Sequence, residues 1–346
     1  MKRFILPTVF LFATFVCQSQ TGKEIIDFQF EGVTINGILN FPKNTRPKGI
    51  VMIVHGSGST NAVAQEWHLD IRESIIKAGY ATYMWDKMGC GKSGGTFNYN
   101  QSVQSSASEV LAAIEALKKR GIAGADKIGL WGISRAGWIN PIVINQYKNI
   151  KFWISVSGVD EKENFNYLLK QNLRINGMPK DSIDLIIEEL ITGAKISHAG
   201  GSFEEYMKAT SHLRANKFWS RFTNGGITEE GYYSFQPVFM KEELDKKDGL
   251  KVYIKNFASI LSNVDCPVLA FFGEKDMNVD WEKTKSLYEQ TLARNTDLTV
   301  KSFPDCNHNI FKCFTGGFYE FQDNNLPWTR CDGFLDTMTT WLNNLK

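Results

Sequence analysis

The sequence predicts an α/β fold in which a mostly parallel sheet is covered by helices on both faces. Between Lys48 and Ser157, the continuously apolar runs GIVMIV, YATYMW and KFWISVSG are typical of strands that are buried on both faces. Segments with helical spacing of apolar residues separate these runs, and such alternation indicates parallel strands joined by helices. Two more apolar runs, CPVLAFF and LTVKSF, follow in the last third of the chain, so the same sheet is expected to continue there.

The segments around this pattern have their own periodicities. Residues 23–41 alternate between apolar and polar side chains, which predicts two antiparallel strands that turn near Glu31 and Gly32. Residues 62–78 and 105–120 have the spacing of amphipathic helices. These helices would cover the sheet.

One long segment, residues 160–262, breaks the alternation and has a mostly helical pattern. Because it is inserted between two core strands, we expect it to form a cap over the edge of the sheet where ligands bind. The core then consists of residues 20–159 and 263–346. Aromatic side chains in the insertion could line a pocket, but most are expected to form the cap's own small core.

Residues 1–19 have the pattern of a secretory signal peptide, with basic residues, an apolar run and a small residue at the end. The run is too short to span a bilayer comfortably. We therefore expect an exported protein, periplasmic or secreted, without stable membrane insertion once the signal is removed. Lipoprotein acylation of Cys17 is the alternative, and the bulky Phe15 and Val16 before it argue against that modification.

The composition is that of an ordinary globular protein, because the 346 residues are 43% hydrophobic and 22% charged. The formal net charge is +2, so a nucleic-acid partner is not expected. Residues 86–97 are rich in glycine and look like a phosphate-binding loop. However, Asp86 stands where that motif requires its first glycine, and we predict no nucleotide ligand.

Ser134 lies in the segment KIGLWGISRAG, where a short apolar strand leads into a helical pattern. Gly132 and Ala136 flank it at two residues on either side, where larger side chains would collide in a sharp strand-to-helix turn. Such a turn exposes a serine as a nucleophile. The alternative is a serine that only caps the helix, and its partners must decide between the two.

Acid and base candidates follow Ser134 in the chain. A serine hydroxyl is a weak nucleophile unless a histidine takes its proton and a carboxylate orients that histidine. Asp276 comes just after the strand CPVLAFF, and His308 comes just after the strand LTVKSF. Asp280 and Asp305 are rival acids. Asp276 is preferred because it is the acidic residue that directly follows its strand.

Five segments taken together resemble the α/β-hydrolase superfamily, namely VMIVHGSGS, YMWDKMGCGKSGG, IGLWGISRAGW, FFGEKD and NHNIF. The resemblance extends from about Lys48 to the C-terminus. It is closest to secreted, esterase-like members related to the serine aminopeptidase and dienelactone hydrolase groups. It implies an α/β-hydrolase fold that carries a helical cap.

The resemblance also implies the roles of individual residues. Ser134, Asp276 and His308 would form a catalytic triad. The backbone N–H groups of Ser57 and Arg135 would form the oxyanion hole, which stabilises the negative charge that develops on a carbonyl oxygen. No cofactor and no metal would be needed.

We therefore expect a serine hydrolase that cleaves carboxylic esters of small molecules through an acyl-enzyme intermediate. A serine peptidase that acts on short peptides is the first alternative, because the resembling groups include both activities. A binding protein of the same fold that has lost catalysis is the second. The sequence predicts neither the acyl and alcohol specificity nor the oligomeric state.

The segment between His308 and the last helix is longer than a simple connection requires, and such loops are often functional. Its position next to His308 makes Phe314 and Trp328 candidate walls of the substrate pocket. Five cysteines remain after removal of the signal: Cys90, Cys266, Cys306, Cys313 and Cys331. A bridge near His308, most plausibly between Cys313 and Cys331, and a fully reduced set of thiols are both compatible with the sequence.

Overall fold

The computed structural model describes residues 21–162 and 164–345 of the chain. Ten strands are described: β1 (Thr21–Ile25), β2 (Phe28–Phe30), β3 (Val33–Ile35), β4 (Gly37–Pro42), β5 (Ile50–Val54), β6 (Ala81–Trp85), β7 (Ile128–Ile133), β8 (Ile150–Val156), β9 (Val268–Gly273) and β10 (Leu298–Phe303). The predicted signal segment, residues 1–19, lies outside the described residues. Within the described part of the chain, no helix has the length and apolar character needed to cross a membrane.

Eight of these strands form one sheet in the order β1-β4-β6-β5-β7-β8-β9-β10. The six neighbouring strands β6, β5, β7, β8, β9 and β10 are parallel to one another. Strand β4 is antiparallel to both β1 and β6. The predicted α/β class is confirmed. The carboxyl ends of the parallel strands therefore meet at one edge of the sheet, where loops from distant parts of the sequence come together.

The N-terminal segment differs in detail from the prediction of one hairpin. The turn at Glu31 and Gly32 is present, and both residues have positive φ angles. It joins the short pair β2 and β3, whereas β1 pairs with β4 further along the chain. A pattern of alternation shows which side chains share a face but not which strand is the partner, so the sequence could not separate these pairings.

The helices of the core cover both faces of the sheet. They are α1 (Leu69–Lys77), α2 (Val103–Lys119), α3 (Ala136–Gln146), α11 (Trp281–Thr291) and α13 (Phe334–Asn344). Two apolar clusters result, because successive side chains of a strand point to opposite faces. Helices α2, α3 and α11 contribute to one cluster, and α1 and α13 contribute to the other.

The inserted segment is mostly helical. Its helices are α4 (Phe165–Ile175), α5 (Lys180–His198), α6 (Phe203–Ala209), α7 (Ser211–Ala215), α8 (Lys217–Phe222), α9 (Glu229–Phe239) and α10 (Phe257–Ser262). Helices α4, α5 and α7 share a small apolar cluster of their own. Helix α10 instead buries Phe257 and Leu261 in the core cluster, so the separately packed part of the insertion ends before this helix. A short helix α12 (Glu320–Asn324) follows in the loop after His308.

Candidate active site

Ser134 lies in a sharp turn between β7 and α3. Its φ angle is 55°, in the left-handed region that L-residues rarely adopt, and its N–H donates to the carbonyl oxygen of Val156 at 3.0 Å. A Cβ atom on Gly132 would lie 2.5 Å from the Cβ of Ala136, so only glycine fits there. The strained turn therefore depends on the small residues that the sequence pattern singled out.

We expect Gly132→Ala to lower the free energy of unfolding by about 1 to 3 kcal/mol, because the new methyl group has no space beside α3. Denaturant unfolding measures this change. Gly94→Ala is the matched control, since its Cβ would find its nearest neighbour at an ordinary 3.4 Å. Equal stability of the two variants would contradict the packing account of this turn.

His308 and Asp276 are joined directly. The Nδ1 atom of His308 lies 2.7 Å from Oδ2 of Asp276, and the Asp276 side chain is fully buried. The other oxygen, Oδ1, accepts the N–H groups of Asn278 at 2.8 Å and Val279 at 3.0 Å. An ionised carboxylate is only an acceptor, so Nδ1 of the neutral imidazole carries the hydrogen and Nε2 is left as the acceptor. The pair presents a histidine in the tautomer that a general base needs.

The rival acids have other roles in the structure. Asp280 precedes helix α11, and its carboxylate caps that helix by accepting the N–H of Lys283 at 3.1 Å. Asp305 is exposed and pairs with the ammonium group of Lys275 at 2.8 Å. The structure thus brings Asp276, and neither rival, to His308.

The loop that carries His308 is held in place on two sides. The Ser157 hydroxyl donates to the main-chain oxygen of His308 at 2.7 Å. The side-chain oxygen of Asn307 accepts the N–H groups of Asn309 and Phe311 at 3.0 and 3.1 Å. These bonds fix the direction in which the imidazole leaves the backbone.

Ser134 and His308 line the same cavity, whose volume is about 710 Å³. Among the described residues, no hydrogen bond joins the Ser134 hydroxyl to His308. Bonds of this kind are often long in structures without substrate and tighten when the substrate binds. The cavity is of the size that holds a small organic molecule.

Two residues that line this cavity have backbone N–H groups without a protein partner among the described residues. Ser57 and Arg135 both line it, and within the described part of the chain neither residue's N–H donates to another protein group. The loop after β5, which contains Ser57, passes close to Ser134. A Cβ placed on Gly56 of this loop would lie 3.7 Å from the Cβ of Ser134. Unpaired N–H groups of residues that line a cavity are available to a ligand, and a carbonyl oxygen attacked by Ser134 would need such donors.

Two family models match the chain in the parts that hold these residues. Residues 45–177 match the model described as serine aminopeptidase, S33, and this match contains Ser134. Residues 251–338 match the dienelactone hydrolase family, and this match contains Asp276 and His308. The chain is thus similar to two hydrolase families of the α/β-hydrolase superfamily, each over a separate segment. The resemblance inferred from its sequence segments is confirmed.

Several solved structures share this α/β-hydrolase fold. An esterase of Pyrococcus furiosus is 16% identical with a TM-score of 0.52, and the match covers 94% of this chain and 93% of that one. Est1E of Butyrivibrio proteoclasticus, solved with ferulic acid, is 18% identical with a TM-score of 0.51, covering 92% and 96%. A proline iminopeptidase of Mycobacterium smegmatis is 15% identical with a TM-score of 0.51, covering 92% and 97%. A comparison with curated proteins gives no match.

The inserted segment supplies part of the apolar wall of this cavity. Phe165, Phe222, Phe235 and Phe239 line it, together with Phe318 from the loop after His308. Phe222 connects the inserted segment with the loop after His308. Its ring centroid lies 5.8 Å from that of Phe165 and 5.3 Å from that of Phe318.

Phe314 and Trp328, the expected pocket walls, do not line this cavity. Their exposed fractions are 73% and 64%. The N–H of Phe314 is bound to the Glu320 carboxylate at 3.0 Å, and Trp328 stacks on Phe321 with ring centroids 4.4 Å apart. The sequence located the right loop but not the side chain within it, because the direction of each ring depends on contacts that form only in the folded loop.

Two other histidines in the cavity wall are poorly suited to act as bases. Burial lowers the pKa of His55 well below its usual value, and its ring packs edge-on against Trp85 at 5.1 Å. Burial and the nearby Arg330 lower the pKa of His68 to about 4. Both rings are therefore neutral and only weakly basic at neutral pH, which leaves His308 as the cavity-lining histidine with an acid partner.

A disulfide joins Cys306 to Cys331, so the expected pairing of Cys313 with Cys331 is wrong. Cys313 is a free thiol, and the buried Cys90 and Cys266 are also free. The bridge begins two residues before His308 and closes the loop that follows it. Sequence spacing could not distinguish Cys306 from Cys313, because the choice depends on which one faces the start of α13.

Reduction of this disulfide is expected to lower the free energy of unfolding by roughly 3 kcal/mol, since the bond closes a loop with a sequence separation of 25. Unfolding of the native protein and of the Cys306→Ala/Cys331→Ala variant in denaturant measures the difference. Cys313→Ala is the control and should change stability little. A double variant as stable as the native protein would refute the prediction.

Proposed function

We propose that this α/β-hydrolase cleaves carboxylic esters through an acyl-enzyme intermediate. Ser134 attacks the ester carbonyl while His308 takes its proton, and His308 then gives that proton to the departing alcohol. Water repeats the sequence to release the acid. Asp276 holds the imidazole in its tautomer, and the N–H groups of Ser57 and Arg135 bind the oxyanion.

The observation that carries this proposal is the buried His308–Asp276 pair, which opens on the same cavity as a serine held in a strained turn. A serine that only capped a helix would need neither the positive φ angle nor a histidine with an acid partner across the cavity. These observations support the roles of nucleophile, base and orienting acid that the proposal gives to Ser134, His308 and Asp276.

The cavity wall favours an ester over a peptide. Among the described residues that line the cavity, Glu242 is the one acidic side chain, and its carboxylate is 2.8 Å from the ammonium group of Lys251. A free carboxylate that could hold the terminal amine of a short peptide would favour a peptidase. The described wall instead presents aromatic rings that suit the apolar part of an ester.

The test compares p-nitrophenyl acyl esters with aminoacyl p-nitroanilides, with Ser134→Ala protein as the control for background hydrolysis. We expect turnover of the esters to be at least about a hundredfold faster, because amide cleavage requires protonation of a much poorer leaving group. Faster hydrolysis of the anilides would overturn the proposal in favour of a peptidase.

We further propose that the protein is exported and that residues 1–19 are removed. The Cys306–Cys331 disulfide supports this, because such bonds persist mainly in oxidising compartments. N-terminal sequencing of the protein recovered from its source cells checks it. A first residue of Met1 would contradict the proposal.

A further inference from the structure

Lys87 connects two loops at the candidate oxyanion hole. It follows β6, and its ammonium group donates to the carbonyl oxygens of Gly56 at 2.7 Å and Gly58 at 2.6 Å. These two carbonyls belong to the residues on either side of Ser57. The main-chain N–H of Lys87 also donates to the carbonyl oxygen of Thr60 at 3.1 Å, so the same residue holds the far end of this loop.

The loop depends on such support. It follows the end of β5 and has no regular secondary structure of its own, and Gly58 has a φ angle of 85°. Gly56 lies against the elbow, where a Cβ would be 3.3 Å from the Ile133 carbonyl oxygen. A shift of the loop would therefore move the Ser57 N–H relative to Ser134.

The charge of Lys87 is only partly compensated. Burial, and then the positive charge of Arg135, lower the pKa of Lys87 to about 8. Glu109 and Cys90 act in the opposite direction, and His55 faces the ammonium group from the oxyanion loop. The two charge-assisted hydrogen bonds to the carbonyl groups of Gly56 and Gly58 stabilise the protonated lysine against this cost of burial.

We propose that Lys87 is a positioning residue that holds the Ser57 N–H at the distance the oxyanion requires. The inference rests on the proposed ester hydrolysis and adds to it a residue of the cavity wall whose ammonium group is bonded to the loop around Ser57. Oxyanion donors act on the tetrahedral state more than on the bound ester, so a displaced donor lowers kcat and leaves KM almost unchanged.

The test replaces Lys87 with methionine, which keeps the length of the side chain and removes its charge and donors. We expect kcat for a p-nitrophenyl ester to fall by roughly tenfold to a hundredfold with KM within about threefold. The inhibition constant of a trifluoromethyl ketone, which forms a tetrahedral adduct with serine, should rise by the same factor. Lys92→Met is the control, because it removes an exposed lysine from the segment after β6 that also contains Lys87. It should leave kcat, KM and the inhibition constant unchanged.

A second variant keeps the proposal testable if Lys87→Met does not fold. Arginine retains a positive charge and donors at all accessible pH values. In the native enzyme, kcat should decline as the pH rises past about 8, because the protonated form of Lys87 is then lost. Lys87→Arg should move this decline to higher pH, and an unmoved decline would overturn the proposal.

The outcomes separate this inference from the proposed function. Native kcat and an unchanged inhibition constant in folded Lys87→Met would overturn the role of Lys87 and leave ester hydrolysis standing. A native protein that hydrolyses no ester and is not labelled at Ser134 by a fluorophosphonate would overturn the proposed function, and the role of Lys87 with it.

Discussion

Asp276→Asn is expected to lower kcat for ester hydrolysis by about four orders of magnitude. The carboxylate now accepts the hydrogen on Nδ1 of His308 at 2.7 Å, and both of its oxygens are bonded. The N–H groups of Asn278 and Val279 require an acceptor at the Oδ1 position, so the oxygen of the asparagine would remain there. The amide nitrogen would then face the imidazole and donate to Nδ1. The hydrogen of the ring would then lie on Nε2, which could no longer take the proton of Ser134.

Steady-state kinetics of the purified variant measure this loss. Asp280→Asn and Asp305→Asn are the matched controls, because each makes the same chemical change at an acid with another role. Asparagine caps helices as well as aspartate does, so Asp280→Asn should stay within about threefold of the native kcat. A large loss in either control with little loss at Asp276 would assign the orienting acid to a different residue.

Ser134→Ala is expected to lower kcat by about six orders of magnitude, to the level that binding and the oxyanion donors alone provide. Alanine retains the Cβ atom of serine and loses only the attacking oxygen, so the fold should be kept. Kinetics with p-nitrophenyl esters measure the rate, and circular dichroism checks the fold.

Ser108→Ala is the control for this substitution. Its hydroxyl lies on the exposed side of α2 and donates to the Gln104 carbonyl oxygen, far along the chain from the elbow. It should keep the native rate. If Ser134→Ala kept more than about a hundredth of the native rate, another group would have to be the nucleophile.

Much of the fold and of the site could be predicted because parallel strands end at one edge of the sheet. Ser134, Asp276 and His308 each follow an apolar run, so their convergence follows from topology without any knowledge of side-chain contacts. The small residues at positions 132 and 136 indicated the sharp turn for a steric reason that the structure shows directly.

The parts that sequence could not predict depend on contacts between distant segments. Phe318, and neither Phe314 nor Trp328, faces the cavity, because Asn172 of the cap accepts the N–H of Phe318 at 2.8 Å. Nothing in the spacing of the loop distinguishes these aromatic residues. Lys87 was also overlooked, since a lysine in a glycine-rich loop has the same local pattern whether it is exposed or bonded to carbonyl groups.

Covalent labelling with a fluorophosphonate, followed by peptide mass spectrometry, tests the role of the serine most directly. The reagent forms a stable bond only with a serine activated as a nucleophile. We predict one adduct per native chain, located on Ser134, strongly slowed in Asp276→Asn and absent in Ser134→Ala. A folded native protein that takes up no label, or takes it up on a different residue, would contradict the account.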